Sequence, residues 1–162
     1  MRGWEVPLAL DASGPVLRKA LAQRPFLIKP NLHELRELSG EALIDEPSRI
    51  AAARAVVQAG QAHAVALTLG PDGALLVARE GAWRAAALPI SPVSAVGAGD
   101  SFLGGMAVSI AAGEDLPAAF RRGVAAASAA LLAHGTELCR ADVVARLLPQ
   151  VRVEEIAGAV AA

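Results

Sequence analysis

Gly97-Ala98-Gly99-Asp100-Ser101 is the stretch whose residue types and spacing say most about chemistry. Two glycines around an alanine permit a tight turn whose backbone N–H groups converge at a helix N-terminus. Unpaired amides and the helix dipole together make such a turn attractive to an anion. Asp100 would stand just inside that terminus, beside the anion. A carboxylate there can take the proton of a hydroxyl that attacks a phosphoryl group, while the amides hold the charge being transferred. The same residues also read as a plain glycine turn with Asp100 an ordinary charge at a helix start.

Two further clusters carry polar groups suited to the same work. In Lys29-Pro30-Asn31-Leu32-His33-Glu34, Asn31 and Glu34 suit phosphates and a hydrated Mg²⁺, an ion that keeps waters and needs few protein carboxylates. The same Asn-x-x-Glu spacing is a helix capping box. Thr68-Leu69-Gly70-Pro71-Asp72-Gly73 follows an apolar run, and its glycines would let backbone and a hydroxyl approach a nucleotide; it also reads as a turn into a hairpin. Other reactive residue types have plainer readings. His33 reads as a surface histidine, and His63 and His134 lack metal-ligand spacing. Cys139 is the single cysteine, so it has no internal disulfide partner and reads as a small buried hydrophobe. Arg121 and Arg122 read as a solvated helix face.

The elements that must position these clusters follow from periodicity. An apolar run at 6–10 reads as a strand, and Ser13 and Pro15 open a helix over 15–22 that Arg24-Pro25 breaks. Residues 26–28 read as a buried strand, followed by a helix over 32–38 capped by Asn31 and a helix over 47–59 closed by Gly60. A buried strand at 63–69 leads to a hairpin of 73–79 with 82–88 across Glu80-Gly81. After Pro89 and Pro92, the glycine turn opens a small-residue helix through Ala111. A turn at 113–117, an alanine-rich helix over 118–134, a helix over 141–148 and a strand-like run at 151–156 complete the chain. Single strands alternating with helices predict an α/β layered fold with a largely parallel sheet, whose ligands sit at the carboxyl ends of the strands. All three polar clusters are expected at such ends.

Composition narrows the partners. Of 162 residues, 54 % are hydrophobic, 19 % charged and 3 % aromatic, with a formal net charge of −1. Those values exclude intrinsic disorder and leave no strong field for nucleic acid or an anionic membrane. Pro, Gly or charge interrupts each apolar stretch before the roughly 20 residues of a membrane span. Glu5 and Pro7 interrupt any signal-peptide core, which points to a cytoplasmic setting. The length suits one domain, 1–162. A strand-like run so close to Met1 gives the expectation that related sequence lies upstream.

Taken in order and spacing, the three clusters resemble the C-terminal half of the PfkB (ribokinase-like) family of carbohydrate kinases. The likeness runs from about Asp11-Ala12-Ser13-Gly14 to Arg146. It rests on the N-x-x-E motif after Lys29-Pro30, the S/T-x-G-x-x-G loop and the G-A-G-D turn. Ser94-Ala95-Val96, Gly123-Val124-Ala125 and His134-Gly135-Thr136-Glu137 look most like the branch holding the PfkB-type 6-phosphofructokinases, 1-phosphofructokinases and tagatose-6-phosphate kinases. Ala95 departs from the threonine common at that position.

The resemblance implies a three-layer α/β/α fold with a mostly parallel sheet and ATP-dependent phosphorylation of a sugar phosphate, fructose 6-phosphate being favoured. It implies Asp100 as base, with Gly97, Ala98 and Gly99 as the anion hole. Lys29 and Asn31 would meet the nucleotide, as would the loop of Thr68, Gly70, Pro71, Asp72 and Gly73. Pro92, Val124 and Ser128 would surround the adenine. Asn31 and Glu34 would serve Mg²⁺. Main-chain carbonyls of Ser94, Val96, Ala130, Ala133, Gly135 and Glu137 would suit K⁺. It further implies a nucleotide-side portion without the sugar-binding half and lid of its relatives. Such a portion is expected to self-associate or to pair with a missing N-terminal half. A catalytically silent nucleotide-binding module, or a fragment that pairs with another chain, are the alternatives.

Overall fold

The computed structural model describes residues 7–134 and 138–157. Its sheet has six strands that lie side by side in chain order: β1 (Ala9–Leu10), β2 (Leu27–Ile28), β3 (Ala64–Thr68), β4 (Ala74–Ala78), β5 (Ala82–Ala85) and β6 (Glu154–Glu155). The first three run parallel, and β4, β5 and β6 each pair antiparallel to the strand before. Parallel neighbours need crossovers. Helix α1 (Gly14–Ala20) makes the first, and α2 (Leu32–Ser39) with α3 (Glu46–Gln58) the second. Helices α4 (Ala98–Ala111), α5 (Leu116–Leu131) and α6 (Ala141–Leu147) follow the hairpin.

Side-chain alternation along the strands divides the core between two helical layers. Val65, Leu67, Leu75 and Val77 pack with Leu17, Leu35, Ala53 and Val57 of α1–α3. Ala64, Ala66, Ala74 and Leu76 face the other way, onto Phe102 and Met106 of α4 and Phe120 and Ala125 of α5. The expected three-layer α/β/α arrangement is therefore present. Small residues let α4 and α5 approach closely: a Cβ on Gly105 would lie 2.8 Å from the Ala126 Cβ, and one on Gly123 would lie 2.7 Å from the Met106 Cγ.

Side-chain caps set the starts of α2, α3 and α5. Asn31 and Glu34 form the expected capping box on α2. Asp45 with Ser48 forms a second one on α3, and Asp115 caps α5 through the amide of Ala118. That last cap corrects the expected turn at 113–117, because Asp115 and Pro117 start the helix instead. Ser13 occupies the N-cap of α1, yet its hydroxyl makes no capping bond. The strand-like run at 151–156 contracts to Glu154–Glu155, where Arg84 of β5 pairs with Glu154. Arg121 and Arg122 are not a solvated face. Arg121 Nε donates to the carbonyls of Leu148 and Val151, and Arg122 Nε donates to Ser109 Oγ, clamping α5 to its neighbours.

Candidate active site

The parallel strands deliver polar residues to one end of the sheet. Asp11 follows β1, Lys29 and Asn31 follow β2, and Thr68 ends β3. Lys29 is only 6 % exposed, and its Nζ lies 2.9 Å from Asp11 Oδ2. The same ammonium packs onto the first turn of α4, where a Cβ on Gly99 would lie 3.2 Å from Lys29 Nζ. Two strand ends and the head of a helix on the opposite layer thus meet at one charge. A cation beside a helix N-terminus adds to the positive end of the dipole, and the paired Asp11 carboxylate offsets part of that charge.

Gly97 caps α4 in the left-handed conformation, φ 77°, and its carbonyl accepts the Ser101 amide at 2.9 Å. The amides of Gly99 and Asp100 belong to the first turn, which has no intrahelical acceptors to offer them. Asp100 is exposed within that turn. The turn does not follow a strand directly as expected: β5 ends at Ala85, and a non-strand segment leads to Gly97. That segment is moored instead, with the amides of Val93 and Ser94 donating to the Leu131 carbonyl at the end of α5.

The second and third clusters lie side by side. Asn31 and Thr68 form an isolated parallel bridge, and the Thr68 amide donates to the Pro30 carbonyl at 3.0 Å. Capping engages Asn31 Oδ1 with the Glu34 amide and Glu34 Oε2 with the Asn31 amide. It leaves the Asn31 side-chain NH₂ and Glu34 Oε1 for other partners. After Thr68, residues Gly70–Asp72 form a 3₁₀ turn, and Gly70, Pro71 and Asp72 are exposed. Gly73 is required by its surroundings. Its φ is 92°, and a Cβ would run into the Ala85 carbonyl.

The positions expected around an adenine divide. Pro92 is exposed, whereas Val124 and Ser128 are buried inside α5, and the Ser128 hydroxyl donates back to the Val124 carbonyl at 2.8 Å. Among the positions expected to offer carbonyls to a cation, Ser94 and Val96 lie on the moored segment, and Ala130 and Ala133 lie at the end of α5. Gly135 and Glu137 lie outside the described residues. His33 is exposed beside Glu37, His63 stacks on Phe26, and Cys139 is half-buried. Among the described residues no three His, Cys, Asp or Glu side chains gather to hold a metal, and no helix is long and apolar enough to cross a membrane. Two grooves of about 420 and 460 Å³ contain none of the cluster residues. Asn31, Gly70, Pro71, Asp72, Pro92 and Asp100 are all exposed.

Asp11 is the site residue that sequence reasoning passed over as a mere strand end. Its position, a charge closing an apolar run, is the signal that could have found it.

Fold and site define an α/β/α domain of the kind that takes ligands at the carboxyl ends of parallel strands. The chain matches the pfkB family carbohydrate kinases over residues 3–142, and it belongs to that family. It is 40 % identical over 140 residues to an ATP-dependent 6-phosphofructokinase isozyme 2 of Mycobacterium tuberculosis, covering 86 % of this chain and 41 % of the relative. To a 1-phosphofructokinase of Borreliella burgdorferi it is 37 % identical over 153 residues, covering 94 % and 49 %. A crystal structure of phosphofructokinase-2 from Escherichia coli in complex with potassium superposes with a TM-score of 0.86 at 38 % identity, over 89 % of this chain and 47 % of that one. The chain therefore spans about half the length of the relatives it matches.

Proposed function

We propose that the chain is the nucleotide-side portion of an ATP-dependent sugar-phosphate kinase, with fructose 6-phosphate the favoured acceptor. The observation that carries this reading is the meeting of Lys29 with the Gly99 turn, beside the Asn31–Thr68 bridge, at one end of the sheet. In the reaction, a sugar hydroxyl oxygen bonds to the γ-phosphorus of ATP as the bond to the β-phosphate oxygen breaks, and ADP leaves. Asp100, exposed at the helix head, accepts the hydroxyl proton. The amides of the Gly97-Ala98-Gly99 turn receive the phosphoryl oxygens, and Lys29 adds a fixed positive charge. Thr68, Gly70, Pro71, Asp72 and Gly73 form a surface for the nucleotide, with Pro92 toward the adenine. Val124 and Ser128 contribute shape beneath it, since the Ser128 hydroxyl is already bonded within its helix.

The donor set fits Mg²⁺. Glu34 Oε1 and Asn31 remain for an ion that binds through few protein groups, waters and phosphates. Held there, Mg²⁺ would neutralise charge on the phosphates. K⁺, present in the Escherichia coli phosphofructokinase-2 complex, would take main-chain carbonyls of Ser94, Val96, Ala130 and Ala133 here, with Gly135 and Glu137. A reducing, cytoplasmic setting suits the single cysteine.

The exposure of Asp100 and of Gly70, Pro71 and Asp72 favours a second reading, a silent nucleotide-binding module or fragment that gains activity only by pairing with another chain carrying the sugar-binding half. Calorimetric titration with MgATP and an ADP-release assay over ketohexose phosphates test both. Weak MgATP binding with little turnover is expected of the chain alone. Absence of any MgATP binding would reject the site, and turnover typical of an intact kinase would reject the need for a partner. In an active pairing, Asp100→Asn should abolish turnover and leave MgATP affinity nearly unchanged.

A further inference from the structure

We propose that Asp11 is a positioning residue that holds the Lys29 ammonium against the first turn of α4, where phosphoryl oxygens are received. The proposal rests on the phosphoryl-transfer reading above. A lysine side chain loses substantial rotamer freedom when fixed, and its ammonium is costly to bury without a partner. Lys29 is nevertheless almost wholly buried, and Asp11 is the group that pairs with it. The ammonium also sits against a helix N-terminus, where the dipole repels it. Without Asp11, that repulsion would push Lys29 outward. Asp11 is itself held in register, because the Leu27 and Lys29 amides donate to the carbonyls of Leu8, just before β1, and Leu10, its last residue. Gly99 eases the arrangement, since a Cβ there would press on Nζ at 3.2 Å.

Positioning and simple charge predict opposite signs. Asp11 is an anion beside an anion site. If it acted through charge alone, Asp11→Asn would tighten the binding of ATP. If it positions Lys29, the same change weakens binding, and the effect disappears once Lys29 is removed. Titration calorimetry with MgATP should show affinity falling roughly tenfold in Asp11→Asn. Asp11→Asn should add little to Lys29→Ala in the double variant. Unchanged or tighter binding in Asp11→Asn would overturn the proposal.

A second readout needs no nucleotide. Lys19 and Lys29 are the two lysines of the chain, and Lys19 is exposed. Labelling with acetic anhydride, quantified by mass spectrometry with Lys19 as internal reference, should rise several-fold at Lys29 in Asp11→Asn. Unchanged labelling overturns the positioning role whether or not ATP binds. Raised labelling in a chain that binds no MgATP supports the positioning role and rejects the phosphoryl-transfer reading instead. Should Asp11→Asn fail to fold, Asp11→Glu replaces it. The longer carboxylate keeps the charge but misplaces it, so intermediate labelling supports the proposal and wild-type labelling overturns it.

Discussion

Asn31 and Glu34 carry one observed duty and one proposed duty, and substitution can separate them. Both side chains close the capping box of α2, and both stand where phosphate and Mg²⁺ are proposed to lie. Asn31→Ala removes a cap and should cost about 1 kcal/mol of stability, read as a lowered urea midpoint. Glu34→Gln keeps an oxygen that can accept the Asn31 amide but loses the charge. It should leave the urea midpoint nearly unchanged while removing the Mg²⁺ dependence of ATP binding. A Glu34→Gln variant that keeps that dependence would reduce Glu34 to a cap. The capping duty was legible from residue types and a spacing of three, because capping is a local rule. The contact of Lys29 with Asp11 and Gly99 was not legible. It joins distant residues through the sheet, and neither periodicity nor spacing encodes that proximity. Gly73 was read as a loop glycine, but the reason it must be one lies in the Ala85 carbonyl across the sheet.

Helix α4 delivers the glycine turn, and α5 sets where α4 lies. The two meet at Gly105 and Gly123, so Gly123→Ala would press a methyl group on Met106 and on the Phe102 carbonyl. Overpacking of this kind costs about 1–3 kcal/mol. Calorimetric melting should fall accordingly, and MgATP affinity should fall with it because the head of α4 moves. Melting unchanged from wild type would show that the interface yields more easily than its spacing implies. Helix α3 offers a pH test. The Ser48 hydroxyl and amide both donate toward Asp45 and hold its carboxyl below the usual aspartate range. The unfolded chain then binds that proton more tightly, so the contribution is present at neutral pH. It is lost as pH falls through the depressed folded value. Asp45→Ala should therefore lower stability near pH 7 and lose its effect under strongly acidic conditions, as urea midpoints across acid pH would show. The order of helices and strands was legible because the central strands are short apolar runs and caps or glycines punctuate the helices between them. The brevity of β6 and the clamping by Arg121 were not, since both depend on what lies across the sheet or across the helix layer.

At the scale of the whole molecule, part of the high hydrophobic content is exposed. Leu8 is 51 % exposed before β1, Val16 is 65 % exposed on α1, and Val108 is 62 % exposed on α4. Among the described residues, the outer edge of β1 has no paired strand. Exposed apolar side chains and an unpaired edge each favour association. Light scattering of the purified chain should give a mass above that of one 162-residue chain; a stable monomer at micromolar concentration would contradict this. The sheet carries a different consequence for how the molecule is made. Its strands stand in the order in which a ribosome would release them. Pairings from β1 to β5 can therefore form one after another as the chain emerges, each needing only what has already appeared. The last pairing, of Glu154 and Glu155 with Arg84 and Trp83, must wait for three intervening helices. It is the step at which a nascent chain would be exposed longest.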